Sequence, residues 1–121
     1  MKKYIALFLV LIVSLTGCMS GTYQDVSVEE AIKMVANGEV HVIDVRTPEE
    51  FSTGHIPDAE LIPLQVIEGM LDELDKEESY LIVCRSGNRS SEASAILAEN
   101  GFTSIYNMTG GMNQWNGEVQ N

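Results

Sequence analysis

At 121 residues, 45% of them hydrophobic and 21% charged, the chain can build one hydrophobic core. It is too short for two domains and too apolar for a disordered polymer. Its formal charge of −11 at pH 7 makes a surface that repels phosphate backbones and anionic headgroups, which excludes nucleic acid as a partner and charge-driven adhesion to lipid.

In chain order, Met1-Lys2-Lys3 is a short basic start, and Tyr4 to Leu15 is almost wholly apolar. A membrane-spanning helix needs roughly 20 such residues, so the run has the length of a secretory signal core; an uncleaved N-terminal anchor is the alternative. Leu15-Thr16-Gly17-Cys18 resembles the lipobox of bacterial lipoproteins. That resemblance implies removal of residues 1–17 and acylation of Cys18. The protein is then expected at a cell membrane, lipid-anchored on the extracytoplasmic side, at the cell surface or in the periplasm. Two or more acyl chains anchor stably. Loss of Lys2 and Lys3 leaves five basic residues against 18 acidic ones, a formal charge of −13, so lipid rather than charge would hold the protein at the bilayer. Residues 18–22 read as a tether. Its last four residues reach only about 14 Å when extended, which keeps a domain over 23–121 close to the membrane.

Tyr23 to Val26 reads as a short strand. Ser27-Val28-Glu29-Glu30 has the pattern of a capping box, and Val28, Ala31, Ile32 and Val35 follow at helical spacing, stopped by Asn37-Gly38. Val40 to Val45 reads as a buried β-branched strand. Thr47-Pro48-Glu49-Glu50 opens a short helix that Gly54 ends. Ala59 to Ile62 is a short strand. Leu64, Ile67, Leu71 and Leu74 predict an amphipathic helix with Glu68, Asp72, Glu73 and Asp75 outward. Tyr80 to Val83 is an apolar strand leading straight into Cys84. A helix is expected from Ser90 or Ser91 to Glu99, then a strand over Ser104 to Tyr106, and after Gly110-Gly111 a final short helix holding Trp115. Alternating strands and helices predict an α/β domain with a mainly parallel sheet of about five strands, in which ligands bind beyond the carboxyl ends of the strands.

Cys84 stands at such an end. Arg85-Ser86-Gly87-Asn88-Arg89 follows, then a helix start. A helix N-terminus and neighbouring arginines lower a thiol pKa from about 8.5 to about 3.5–7.5. A curled loop aims successive N–H groups at its centre as an anion-binding nest, and Gly87 permits the dihedrals the curl needs. Such a cradle suits a thiolate and, after gain of sulfur, a persulfide. If Cys18 is acylated, Cys84 is a lone thiol in an exported protein, reactive or intermolecular; a Cys18–Cys84 disulfide is the bland alternative.

Cys84-Arg85-Ser86-Gly87-Asn88-Arg89-Ser90 resembles the active-site loop of the rhodanese domain family. Asp44-Val45-Arg46, Glu50-Phe51, Gly54-His55-Ile56-Pro57-Asp58-Ala59 and Gly110-Gly111-Met112 with Trp115 resemble further motifs of that family, in the family's order. Together they span nearly all of residues 23–117. The resemblance implies a rhodanese-like three-layer α/β sandwich and a sulfurtransferase that carries sulfane sulfur as a Cys84 persulfide, taking it from a small anion such as thiosulfate and giving it to a thiol or another thiophilic acceptor. It implies no metal or organic cofactor. Cys84 is then the catalytic residue, and Arg85, Ser86, Gly87, Asn88 and Arg89 form the substrate-binding loop. Related phosphatases of the same fold have one more residue between cysteine and arginine, so the short C-x4-R form favours sulfur over phosphate. Asp58 stands where the family often has glycine, and aspartate also tolerates turn conformations.

Arg85 is expected to bind the anionic donor; for Arg89, binding and structural roles stand equal. Asp44 and Arg46 are read as structural contacts near the site. His55 belongs to a turn and His41 to the start of a strand, and the pair makes no metal site. Met112 and Trp115 are packing groups that could reach the pocket rim. A monomer is expected. The competing readings are a sulfur-carrier module for a membrane partner and a phosphatase-like or arsenate-reducing enzyme.

Overall fold

A computed structural model describes residues 21–121; the expected signal peptide, Cys18 and the first part of the tether lie outside the described residues. Five strands, β1 (Gln24–Val26), β2 (His41–Asp44), β3 (Glu60–Leu61), β4 (Ser79–Val83) and β5 (Ser104–Met108), form one sheet in the order β1-β5-β4-β2-β3. Every pairing is parallel. Four α-helices accompany them: α1 (Val28–Ala36), α2 (Pro48–Ser52), α3 (Asn88–Glu99) and α4 (Gly111–Gln114). Among the described residues no helix is long and apolar enough to cross a membrane.

Side chains alternate across the strands, and the two faces have separate cores. On one face Ile43, Tyr80, Ile82 and Ile105 pack with Ala93, Leu97 and Phe102. On the other Val26, Val42, Leu81, Val83 and Met108 pack with Val28 and Ala31 of α1. A sheet covered on both faces needs apolar residues at consecutive strand positions, which explains the unbroken Tyr80 to Val83 run. Cys84 belongs to the first face, the one that α3 covers.

From the middle of the sheet the chain leaves in opposite directions: β2 leads to β3 on one edge, β4 leads to β5 on the other side. The crevice between the carboxyl ends of β2 and β4 is the topological switch point, where α/β sheets bind ligands. Register sets Asp44 beside Val83, so the Asp44-Val45-Arg46 turn and the Cys84 loop leave the sheet side by side.

Several local expectations need correction. The segment after Pro63 is a 3-10 helix (Leu64–Glu73), not an α-helix. Its backbone closes i→i+3 bonds, the 3-10 pattern, with Val66 N–H bonded to the Pro63 carbonyl from the outset. Helix α3 begins at Asn88, two residues before the expected start, because the Gly87 carbonyl already accepts from Ser91 N–H. Trp115 lies just past α4 and not within it. Ser27 makes only half of a capping box, accepting from Glu30 N–H, whereas Thr47 and Glu50 complete theirs. At the N-terminal side, Gly21 N–H donates to the Ala98 carbonyl at 3.1 Å, which fastens residue 21 of the expected tether to α3.

Candidate active site

The loop from Cys84 to Gly87 joins the central strand β4 to α3, whose first turn carries Asn88, Arg89 and Ser90. Gly87 takes a left-handed conformation, φ 100°, as the residue that caps α3; a side chain there would be strained and pressed against the Gly110 amide. This turn swings the Gly87 N–H inward, where it donates to Cys84 Sγ at 3.0 Å. The thiol in turn donates to Ser90 Oγ at 3.3 Å. A hydroxyl rotates to suit its partner, so Ser90 becomes a donor once the sulfur ionises.

Cys84 is fully buried, and burial pushes its thiol up. The Ser90 hydroxyl and the main-chain amides of Ser90, Gly87 and Ser86 outweigh burial and hold it below the ordinary thiol range. The loop is also gripped from outside. Met112 N–H donates to the Cys84 carbonyl at 2.8 Å and Asn113 N–H to the Arg85 carbonyl at 2.9 Å. These amides belong to the first turn of α4, whose own N–H groups would otherwise be orphaned. Gly111, at φ 61°, lets the two backbones approach: a Cβ there would meet the Cys84 carbonyl oxygen at 2.7 Å.

The loop arginines diverge. Arg85 is exposed and lines a cleft of about 560 Å³ together with Arg46, Glu49, Met112 and Trp115. Arg89 turns to α2, where Nη1 and Nη2 donate to the two oxygens of Glu50 at 2.7 and 2.9 Å. Pairing with Glu50 raises the Arg89 pKa, against burial, and the nearby Cys84 and Asp44 charges raise it further. The guanidinium thus stabilises negative charge on the sulfur while its hydrogen bonds go to Glu50. Ser86 is exposed on the loop and contributes its amide, and Asn88 is exposed at the start of α3.

Beside the loop, Asp44 is buried and Arg46 nearly so. Arg46 Nη2 donates to Asp44 Oδ2 at 2.8 Å and to the Gly54 carbonyl at 2.8 Å, and Arg46 Nε donates to Asp44 Oδ1 at 3.0 Å. The pair fastens the end of β2 to the Gly54-His55-Ile56-Pro57 turn. Asp58 in that turn adopts φ 65°, a conformation that glycine adopts freely and aspartate tolerates. His55 stacks on Phe51 with ring centroids 3.7 Å apart. His41 is remote, beside Glu78 at 3.2 Å. Among the described residues no group of three or more His, Cys, Asp or Glu could hold a metal ion.

Ser90, Glu50 and the Met112 and Asn113 amides were not singled out from sequence as site groups. Ser90 had a local signal, a hydroxyl in the first turn of the helix that follows the short loop from Cys84. Glu50 was legible as a cap, but its partner is 39 residues away.

A family model of the rhodanese-like domain matches residues 27–118. The chain is 39% identical over 77 residues to a sulfurtransferase of Allochromatium vinosum, covering 64% of this chain and 72% of that protein. It is 32% identical over 97 residues to thiosulfate sulfurtransferase GlpE of Pseudomonas aeruginosa, covering 80% and 87%. Among solved structures, a rhodanese-like domain protein from Staphylococcus aureus superposes with a TM-score of 0.74 at 35% identity, covering 80% of this chain and 96% of that one. The human single-domain sulfurtransferase TSTD1 does so with a TM-score of 0.71 at 27% identity, covering 75% and 93%.

Proposed function

The chain belongs to the rhodanese-like domain family, and on that premise we propose that it moves sulfane sulfur through a persulfide on Cys84 at the outer face of a membrane to which lipid on Cys18 anchors it. The observation that carries the chemistry is the sulfur itself, 3.0 Å from the Gly87 amide and 3.3 Å from the Ser90 hydroxyl. Thiosulfate is the proposed donor, by analogy with the GlpE relative, a thiosulfate sulfurtransferase. The exposed Arg85 at the cleft draws in the anion. Thiolate then attacks the outer sulfur; a new S–S bond forms, the old one breaks, and its electron pair leaves with sulfite. The outer sulfur keeps a negative charge, and the amide nest that held the thiolate stabilises this persulfide too. A thiophilic acceptor takes the outer sulfur and returns the electron pair to Cys84. Covalent capture splits one hard transfer into two easier ones.

Arg89 and Glu50 keep the loop curled, and the Asp44–Arg46 pair fixes the neighbouring strand end. Support for the anchor is the Leu15-Thr16-Gly17-Cys18 sequence after an apolar run. Intact-mass analysis of protein extracted from membranes reads both claims. Acylated Cys18 and, after thiosulfate treatment, one added sulfur on Cys84 are expected, the sulfur being absent in Cys84→Ser. Failure of every sulfane donor to add sulfur contradicts the enzymatic reading; an unmodified Cys18 contradicts the anchor.

A further inference from the structure

The chain enters the sheet at the end opposite to Cys84. All strand pairings are parallel, so the amino end of β1 and the carboxyl end of β4 stand at opposite ends of the domain. Helix α3 connects β4 to β5 and therefore runs back from the site. Ser90 in its first turn meets Cys84 Sγ, and Ala98 near its far end accepts from Gly21 N–H at 3.1 Å. From Asn88 to Glu99 the helix rises about 17 Å. Gly21 has no room for a side chain, since a Cβ there would collide with the Ala98 carbonyl oxygen. Tyr23 packs against the core that α3 covers. The fold thus holds the chain from Gly21 onward, and the span from Cys18 to Gly21 is at most about 11 Å. Without the Gly21 bond the free span would run to Gln24 in β1, about 21 Å, which exceeds the length of α3.

From these observations we infer that the Gly21–Ala98 contact is a clasp that orients the anchored domain: the carboxyl end of α3 faces the bilayer, and the Cys84 end faces water. The inference rests on the lipid anchor at Cys18 proposed above. A free span of about 11 Å is too short to bring the anchor past a helix of about 17 Å. Charge pulls the other way. Arg85 is exposed at the site end, whereas Glu77, Glu78 and Glu99 are exposed at the anchor end, so an anionic surface attracts the first and repels the others. That force is screened over about 8 Å at physiological ionic strength, and a covalent tether is not screened at all. The short tether therefore sets the orientation. The class of partner follows from it: Cys84 exchanges sulfur with water-borne molecules, not with a protein embedded in the same bilayer.

The test uses the acylated chain in phosphatidylcholine vesicles, with and without phosphatidylglycerol, that contain a lipid with a nitroxide on its headgroup. A thiol-reactive fluorophore is attached at Asn88→Cys or at Glu99→Cys, exposed positions at the two ends of α3, each combined with Cys84→Ser so that one thiol reacts. Quenching at Glu99→Cys is expected to exceed that at Asn88→Cys by about twofold or more in both kinds of vesicle, since about 17 Å of helix separates them. Gly21→Ala, which breaks the clasp, is expected to shrink the contrast. Equal quenching at the two positions, stronger quenching at Asn88→Cys, or an undiminished contrast in Gly21→Ala overturns the inference while leaving the anchor intact. Failure of the chain to sediment with the vesicles overturns the anchor and the inference together.

Discussion

The Glu50 carboxylate closes the cap of α2 by accepting from Thr47 and also grips both outer nitrogens of Arg89. The Arg89 hydrogen bond is the largest cause of its depressed pKa, lowered from 4.5 to about 2 despite partial burial. A folded pKa below the unfolded one stabilises the fold above the unfolded value, and that stability is lost as pH falls through the folded value. The window is therefore from about 4.5 down to about 2. The pair is partly exposed to solvent, which reduces its worth to about 1 kcal/mol. Urea unfolding of Glu50→Gln is expected to show lower stability at pH 7 and a shallower decline between pH 5 and 3 than the parent chain. Parallel curves would contradict the pairing. Nothing local in Thr47-Pro48-Glu49-Glu50 announces Arg89: a cap is written within four residues, whereas an ion pair across two elements is written only in the tertiary fold.

At the scale of elements, α4 is too short to be stable alone, and its place is set by what it grips. Its first amides satisfy the Cys84 and Arg85 carbonyls, and Gly111 makes the approach possible. Gly111→Ala would need φ near 61° and would set Cβ 2.7 Å from the Cys84 carbonyl oxygen. A loss of about 2 kcal/mol or more in urea unfolding is expected, with slower persulfide loading, whereas Gly69→Ala, which faces open space, should be close to neutral. Equal behaviour of the two variants would contradict the gripping role. The sequence resemblance included Gly110-Gly111, but the contacts that demand glycine, the Arg85 and Cys84 carbonyls, lie 26 and 27 residues upstream and are visible only in the fold. The 3-10 helix was misread for a different reason: leucine spacing shows which side is apolar, and steps of three and four do not by themselves separate the two helix types over ten residues.

At the scale of the whole molecule, the sequence carried the architecture because each level agreed. Apolar strands alternated with capped helices, and the central run Tyr80 to Val83 could be buried on both faces only inside a parallel sheet. That frame alone puts Cys84 at a strand's carboxyl end. It did not say how deeply the sulfur lies or that the two loop arginines part company, since burial and direction depend on helices contributed from both ends of the chain. In a chain of charge −11, main-chain amides and one hydroxyl hold a buried thiol below the ordinary thiol range, against the burial that pushes it up. The direct measurement is the pH dependence of Cys84 alkylation by iodoacetamide, in the parent chain and in Ser90→Ala. A midpoint below that of free cysteine is expected in the parent chain, and a higher midpoint in Ser90→Ala. A parent midpoint at or above that of free cysteine, unmoved by the substitution, would contradict this hold on the thiol.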